Sequence, residues 1–246
     1  MATIDRGSTE HAPGLLDARG FGSLENGERM DQKTFHERYL KAPEHFRAEL
    51  IEGIVYVMSS PLEIRHGESD NRLSGLLYLY RTATPGTRSQ NNATTIMGGE
   101  AEVQPDSALL VLPEFGGQTR DGEDGYTYGA PELFIEVALS SRSIDLHAKL
   151  REYERAGVRE YVVHAVSGAE VHWFATADGR FEPLGRDPDG LIRSRAFPGL
   201  WFDVDAFLRD DDRALIAALN LGLASLEHAT FVAELRRRHD ARMPGA

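Results

Sequence analysis

The sequence predicts an α/β (α+β) fold, chiefly because a strand–helix–strand unit lies in its second half. Residues 133–139 form an almost continuous apolar run, which is typical of a strand covered on both faces. A helix is predicted from about Ile144 to Ala156 and ends at Gly157, a residue suited to the left-handed backbone that follows many helices. Residues 161–166 predict a second buried strand. Strands that alternate with helices in this way indicate an α/β architecture.

Further helices and strands are predicted on both sides of this unit. The other predicted helices span about residues 32–41, 67–82 and 204–242. The other predicted strands lie within residues 49–58, 88–112, 170–176 and 180–200. The acidic, glycine-rich segment 116–129 is predicted to be a long loop, either mobile or functional. In the C-terminal helical region the predicted apolar face consists of Leu215, Ile216, Leu219, Leu223, Leu226, Phe231 and Leu235.

Composition restricts the class of protein. With 41% hydrophobic and 27% charged residues, the 246-residue chain can bury a core and is not predicted to be disordered. No run approaches the roughly 18 consecutive apolar residues of a membrane helix, and residues 1–22 lack the pattern of a secretory signal. Cysteine is absent, which excludes disulfides and thiolate metal sites. We therefore expect a soluble cytoplasmic protein without a membrane span.

The net charge argues against a general affinity for nucleic acid. Twenty-seven basic residues against 39 acidic residues give a formal charge of −12, and a chain of that charge lacks a global attraction to phosphate. A local basic surface or a bound metal ion can still recruit nucleic acid. The charge therefore weakens a nuclease hypothesis without excluding it.

A carboxylate in the middle of an apolar strand is the main anomaly of the sequence. Glu136 lies within the predicted buried strand 133–139, where a charge is costly unless it is paired or bound to a metal ion. One interpretation is a structural glutamate, held by a salt bridge or pointing outward from an edge strand. The other interpretation is a ligand for a cation.

Asp106 is the candidate partner of Glu136. It follows Pro105 just before an apolar run, and taken alone it is best interpreted as a turn residue, since Pro-Asp is common in turns. Two carboxylates on adjacent strands, however, can share a hard cation such as Mg²⁺ or Mn²⁺, which prefers oxygen ligands. Asp106 and Glu136 together therefore predict a divalent-metal site.

Lys149 is a third candidate, on the predicted helix. It lies one turn from Asp145 and one turn from Tyr153. The residues alone favour an ordinary Asp145–Lys149 surface pair, which contributes little. The functional alternative directs the ammonium group back to the carboxylates, where it would hold the attacking water and stabilise charge that develops on a phosphate.

Weaker candidates lie around the first predicted hairpin. Glu49 and Glu52 flank its turn at Glu52 and Gly53, and each is either an additional metal ligand or simply solvated. Glu49 is the better candidate, because it precedes the turn within the strand. His66 is a candidate to orient a phosphate or a ligand, although a lone histidine is more often structural or exposed.

The order of these residues resembles the PD-(D/E)XK nucleases, and more narrowly a large bacterial family described as putative restriction endonucleases. The matching stretches cover about residues 30–205. They are residues 49–53 with Ser60, Pro61 and His66, then Pro105 and Asp106, and then residues 130–137, 145–153 and 156–161. Each motif alone is weak, whereas their shared order and spacing make the set fairly specific.

The resemblance implies a restriction-endonuclease-like core, a mixed β-sheet flanked by helices, and a role for each matching residue. Asp106 and Glu136 would be catalytic metal ligands, and Glu49 would lie near the same Mg²⁺ or Mn²⁺. Lys149 would replace the lysine that usually stands two residues after the acidic strand residue, where this chain has Ala138. Tyr153 would pack or hydrogen-bond beside Lys149.

The resemblance also implies a domain organisation and an activity. We expect a flexible tail over residues 1–30, the nuclease-like domain over residues 31–205, and a helical extension outside the resemblance over residues 206–246. The implied activity is metal-dependent hydrolysis of phosphodiester bonds in nucleic acid, with DNA as the expected substrate. A nuclease that cuts both strands of a duplex usually acts as a homodimer.

Two alternatives stay open. A catalytically silent protein of the same fold would use its sheet and its C-terminal helices for assembly with a partner protein, in keeping with the charge of −12. A hydrolase of small molecules or nucleotides is the other alternative, and neither a glycine-rich phosphate loop nor a nucleophile elbow supports it.

Overall fold

The computed structural model describes residues 24–58 and 63–242. Its helices are α1 (Gln32–Tyr39), α2 (Ile64–Ala83), α3 (Leu150–Ala156), α4 (Val204–Leu208), α5 (Asp212–Leu223) and α6 (Leu226–Arg242). Its strands are β1 (Ala48–Ile51), β2 (Ile54–Val57), β3 (Thr87–Asn91), β4 (Thr95–Ile96), β5 (Glu102–Val103), β6 (Ser107–Val111), β7 (Arg120–Asp121), β8 (Thr127–Tyr128), β9 (Leu133–Ala138), β10 (Glu160–Ala165), β11 (Glu170–Ala177), β12 (Arg180–Pro183), β13 (Leu191–Arg193) and β14 (Trp201–Asp203). The predicted tail up to residue 23, the Ser60–Pro61 motif and residues 243–246 lie outside the described residues.

A six-stranded mixed sheet forms the centre of the fold. Its strand order is β12-β11-β10-β9-β6-β3, in which β9 and β10 are parallel and the other neighbours are antiparallel. A parallel pair needs a long crossover connection, and the helical segment between β9 and β10 provides it. The predicted α/β class, with a mixed sheet flanked by helices, is confirmed.

Strand β9 separates two clusters of the core, because its side chains alternate between the two faces of the sheet. The cluster that includes α2 and the C-terminal helices contains Leu133, Ile135 and Val137. The cluster that includes α3 contains Phe134 and Ala138. All six residues of β9 are buried, as its apolar run predicts. The alternation directs Glu136 to the face that α3 covers.

A second six-stranded sheet has the order β2-β1-β5-β4-β8-β7. Its β1–β2 hairpin is the one predicted within residues 49–58, and it turns at Glu52 and Gly53, whose φ angles are 52° and 70°. The segment 116–129, predicted to be a loop, instead contains the β7–β8 hairpin, and β8 pairs with β4. These strands have two residues each, which is too short to leave a periodic pattern in the sequence.

The helix predicted from Ile144 to Ala156 has two parts. Ile144–Lys149 is a π-helical turn, and α3 continues from it and ends at Gly157, whose φ is 88°. The predicted end is therefore confirmed, whereas the first part has the wider π geometry. In this turn Asp145 and Lys149 are each only 1% exposed. Such π-helical turns occur frequently at functional sites.

The C-terminal helices share the main core. Leu215, Leu219 and Leu235 are buried in the cluster that includes α2 and β9, as their spacing predicts. Ile216 and Leu226 are 40% and 82% exposed, so the predicted apolar face is wrong for these two residues. The helix face that packs against the core is narrower than the predicted set of apolar residues. No single described helix is long and apolar enough to cross a membrane, and α5 and α6, bent by 59°, meet that criterion only as a pair.

Residues 24–30, the described part of the predicted tail, pair with the first hairpin. The Gly27 amide donates to the Val55 carbonyl at 2.8 Å, and the Val55 amide donates to the Glu28 carbonyl at 2.8 Å. Leu24 is buried. The prediction of a loose tail is therefore wrong for residues 24–30, because these hydrogen bonds continue the edge of the sheet beyond β2.

A buried glutamate joins the central sheet to the connection that precedes β14. Glu160 begins β10 and is 1% exposed. Its carboxylate accepts hydrogen bonds from the Trp173 indole (3.0 Å), the Ser194 hydroxyl (2.8 Å) and the amides of Arg195 and Ala196 (2.5 and 2.9 Å). Burial raises the pKa of this carboxyl group, and the donors oppose the rise. The side chain therefore fixes the path of the chain after β13.

We expect Glu160→Ala to lower the free energy of unfolding by about 3–5 kcal/mol, because it leaves several buried donors without an acceptor. Urea denaturation of the variant and the wild type measures this loss. Glu170→Ala on the neighbouring β11 is the matched control, since Glu170 is exposed, and its unfolding midpoint should stay close to that of the wild type. A comparably small effect of Glu160→Ala would contradict the role given to this carboxylate.

Candidate active site

A cleft of about 800 Å³ is lined by residues from both sheets and from the π-helical turn. The structure brings to this cleft five of the seven predicted site residues, namely Asp106, Glu136, Lys149, Glu49 and His66. The other polar residues that line it are Arg47, Asn92, Gln104, Ser140, Ser141 and Asp145. Carboxylates that are far apart in the sequence thus share one cavity.

Glu136 is fixed by two buried donors. The Lys149 ammonium and the Tyr153 hydroxyl each lie 2.9 Å from its Oε1. Strand β9 lies between β10 and β6, with Val163 of β10 opposite Glu136. The interpretation of Glu136 as an edge-strand residue that points outward is therefore wrong. Burial raises the pKa of Glu136 well above its usual range, Lys149 opposes the rise and Asp106 adds to it. Glu136 is therefore a buried, paired carboxylate.

Asp106 directly precedes β6, and its side chain reaches the neighbouring strand β9. Strand β6 is antiparallel to β9, with Ser107 opposite Ile135. The Oδ2 atom of Asp106 accepts the amide hydrogen of Val137 at 2.7 Å, and its Oδ1 atom lies 3.5 Å from Nε2 of His66. The contact with Asp106 raises the pKa of His66, although partial burial opposes this. The imidazolium form of His66 is therefore favoured beside Asp106.

Glu49 enters the cleft from the second sheet. It is 2% exposed, and its Oε1 atom accepts the amide hydrogen of Gln104 at 2.7 Å. Its Oε2 atom lies 2.8 Å from Nζ of Lys149, yet no described donor has the angle that completes a hydrogen bond to this buried atom. Buried polar atoms are rarely left in that state. The ion pair between Glu49 and Lys149 is therefore electrostatic and not a hydrogen bond, and Oε2 keeps lone pairs that another cation can use.

Lys149 joins three carboxylates. Its Nζ atom lies 2.8 Å from Glu49, 2.9 Å from Glu136 and 3.7 Å from Asp145. Burial alone would lower the pKa of Lys149, but these carboxylates outweigh burial and raise the pKa well above its usual value. The amine is therefore protonated. The prediction of an Asp145–Lys149 pair on the surface is wrong, because both side chains are buried in the protein.

Tyr153 and Glu52 differ in their relation to the cleft. Burial, reinforced by Glu136, raises the pKa of the Tyr153 hydroxyl well above its usual value, so this group stays protonated as a donor to Glu136. Glu52 lies in the β1–β2 turn, and Arg151 binds its carboxylate through two hydrogen bonds of 2.9 and 2.7 Å. Glu52 does not line the cleft, so the structure does not bring it to the other predicted ligands.

Two cleft residues were missed by the sequence analysis. Asp145 lines the cleft, and its Oδ2 atom accepts the hydroxyl hydrogen of Ser141 at 2.6 Å. Its spacing of four residues from Lys149 was a signal, but the same spacing is common in exposed helical pairs. Arg47 lines the cleft with an exposed side chain, and no periodic pattern marks it in the sequence.

The donor set suits a divalent cation. In each of Glu49, Asp106 and Glu136 one oxygen accepts a hydrogen bond from the protein, and a carboxylate has further lone pairs that Mg²⁺ or Mn²⁺ can use. In the present arrangement of the described residues, no group of three histidine, cysteine or acidic side chains is placed to hold a metal ion, so a cation would require these side chains to move. The cation that the structure places between Glu49 and Glu136 is the Lys149 ammonium.

We expect Lys149→Met to lower the free energy of unfolding by about 3–5 kcal/mol at pH 8 in EDTA, because it leaves buried carboxylates without their counter-ion. The loss should shrink as the pH falls. Burial raises the pKa values of Glu136 and Asp145. Above about pH 4–4.5 these two groups therefore bind more protons in the folded variant than in the unfolded chain, and a fall in pH favours the folded variant. The contribution of Lys149 itself is constant below about pH 10.4, its pKa when unfolded.

Urea denaturation of both proteins at pH 5.5, 7 and 8 measures this difference. Lys33→Met is the matched control, since Lys33 is exposed, and its effect should stay within about 0.5 kcal/mol at each pH. A loss for Lys149→Met that is equally small, or that grows as the pH falls, would contradict the buried ion cluster.

Known proteins resemble this chain over most of its length. A family model described as Uma2, putative restriction endonuclease, matches residues 33–205. The crystal structure of a putative nuclease belonging to DUF820 from Anabaena variabilis aligns with a TM-score of 0.53 and 15% sequence identity, over 70% of this chain and 96% of that chain. At that identity the likeness shows the fold alone. No curated protein matches the chain.

The comparisons confirm the predicted resemblance to the putative restriction endonuclease family, and the nuclease-like fold with it. The family match includes Glu49, Asp106, Glu136 and Lys149. It also ends near the start of the C-terminal helices, as the motifs do. Because the match spans well over half of the sequence, this chain belongs to the Uma2 family of putative restriction endonucleases.

Proposed function

We propose that the protein is a metal-dependent endonuclease that hydrolyses phosphodiester bonds of nucleic acid, with DNA as the preferred substrate. The observation that supports this most directly is the meeting of Glu49, Asp106 and Glu136, from three separate segments, in one cleft. Apolar residues would serve a purely structural role better, because buried charges are costly. Membership of the Uma2 family supports nuclease chemistry at this cleft.

The three carboxylates would hold the cation. When bound, Mg²⁺ or Mn²⁺ would polarise a phosphate and lower the pKa of a water molecule. The protein contributes rigid ligands: backbone amides fix Glu49 and Asp106, and the Tyr153 hydroxyl fixes Glu136. Ligands that are held in advance need no reorganisation during the reaction.

Two cationic side chains complete the site. His66 lies beside Asp106 with its pKa raised, so an N–H group of its imidazolium can donate a hydrogen bond to a phosphate oxygen. Lys149 offsets the negative charge of Glu49 and Glu136, which would otherwise repel a phosphate. To contact an attacking water, the buried ammonium has to move away from one of the carboxylates that it now holds.

Arg47 is the proposed phosphate contact at the cleft. Its Nη1 atom donates to the carbonyls of Glu44 and Phe46 at 2.8 and 3.1 Å, which holds the guanidinium group in place. A guanidinium group binds phosphate through paired N–H donors. Since the chain carries a charge of −12, nucleic-acid binding would depend on such local groups and on the divalent cation.

We propose residues 31–205 as the nuclease domain and residues 206–246 as an extension whose described helices, up to Arg242, stabilise it. The supporting observation is that Leu215, Leu219 and Leu235 lie in one core cluster with α2 and β9. An enzyme of this kind that cuts both strands of a duplex would act as a homodimer.

The purified protein, incubated with plasmid, single-stranded DNA and RNA, should cleave DNA in Mg²⁺ or Mn²⁺ and not in EDTA. Asp106→Asn and Glu136→Gln should each lower the cleavage rate at least about 100-fold, because each removes an anionic ligand while keeping the side-chain shape. Gel electrophoresis of the products over time measures the rates.

Asp178→Asn is the control, since Asp178 is exposed in the turn after β11, and it should cleave as the wild type does. Cleavage that survives in Asp106→Asn would reveal a contaminating nuclease. A folded protein that cleaves none of the substrates in either metal would refute the proposal and favour a catalytically silent assembly protein.

A further inference from the structure

Asp145 is a buried carboxylate that the proposed hydrolysis does not use. It is 1% exposed, and its Oδ2 atom accepts the Ser141 hydroxyl hydrogen at 2.6 Å. Its Oδ1 atom lies 3.7 Å from Nζ of Lys149, which is longer than a hydrogen bond. Asp145 therefore pairs with the ammonium group through charge alone, without a hydrogen bond.

The ammonium group and a divalent cation require the same oxygens. Lys149 contacts Oε2 of Glu49 at 2.8 Å and Oε1 of Glu136 at 2.9 Å. The Glu49 oxygen is also the buried atom that lacks a completed hydrogen bond, which makes it a strong candidate ligand. Two cations that share one oxygen repel each other strongly in a buried site. A metal ion bound to Glu49 would therefore displace the ammonium group.

We propose that Asp145 is a positioning residue that accepts the Lys149 ammonium group when a divalent cation binds to Glu49 and Glu136. This inference rests on the proposed function, since it requires the cation site. The movement is small, from the present 3.7 Å to a charge-assisted hydrogen bond of about 2.8 Å. The flexible four-carbon stem of lysine allows a movement of that size.

The surroundings of Asp145 hold it in place independently of the ammonium group. The amides of Ile144 and Asp145 donate to the Ser141 carbonyl at 2.7 and 3.0 Å, and the Tyr161 hydroxyl donates to the Asp145 carbonyl at 3.1 Å. The acceptor is thus already fixed before any cation binds. The ammonium group would then leave the metal ligands and still remain at the cleft, where the proposed hydrolysis needs a positive charge.

Isothermal titration with Mn²⁺ at pH 7.5 tests this on four proteins: wild type, Asp145→Asn, Lys149→Met and the double variant. We expect Asp145→Asn to weaken Mn²⁺ binding about 10-fold, because the ammonium group then stays on the metal ligands. Lys149→Met should strengthen binding, because it removes the competing cation. In the Lys149→Met background, Asp145→Asn should change the affinity by less than about twofold. Circular dichroism of each protein confirms its fold.

A second measurement does not depend on the folding of Lys149→Met. The chain has three lysines, Lys33, Lys41 and Lys149, so ¹⁵N labelling of lysine side chains resolves the buried ammonium group by NMR. Added Mg²⁺ should shift the Lys149 signal and leave the other two unchanged. Asp145→Asn should require about 10-fold more Mg²⁺ for the same shift.

The outcomes separate the inference from the proposed function. If Asp145→Asn lowers the Mn²⁺ affinity equally in the wild type and in Lys149→Met, Asp145 acts on the cation directly. That result would overturn the inference and leave the metal site intact. An unchanged Lys149 signal at saturating Mg²⁺ would also overturn it. A folded wild-type protein that binds no Mn²⁺ would instead overturn the metal site, and this inference with it.

Discussion

The ammonium group of Lys149 is the interaction on which the rest of the site depends. Buried carboxylates are tolerated when they are paired, and this single cation pairs with Glu49 on β1, Glu136 on β9 and Asp145 in the π-helical turn. These elements belong to the two sheets and to the crossover between the parallel strands. Their common counter-ion therefore holds the two sheets and the turn in one arrangement around the cleft.

The same cluster connects the stability of the fold with its proposed chemistry. Four carboxylic side chains line the described cleft, those above and Asp106, whereas the buried cation among them is the Lys149 ammonium group, so acidic groups outnumber their buried counter-ion. A divalent cation would relieve that imbalance. Under the proposed function, the acidic groups that the folded chain has to neutralise are the groups that would bind the catalytic cation.

Local patterns predicted the elements whose signals are local. The apolar run of β9 and the stop at Gly157 fixed the strand–helix–strand unit, and Glu136 stood out because a charge inside such a run is anomalous. The burial of Lys149 could not be predicted from the sequence. Asp145 and Lys149 are four residues apart, and the same spacing occurs in exposed ion pairs on surface helices. The exposure of Leu226 likewise depends on how α5 and α6 meet the core.

Anomalous diffraction from crystals grown with Mn²⁺ would locate a divalent cation in the cleft. We predict a manganese peak at ligand distance from Asp106 and Glu136, and no such peak in crystals of Asp106→Asn grown under the same conditions. A manganese-free cleft at saturating Mn²⁺, with Lys149 still bound to Glu49 and Glu136, would contradict it. The carboxylates would then be a structural ion cluster and not a metal site.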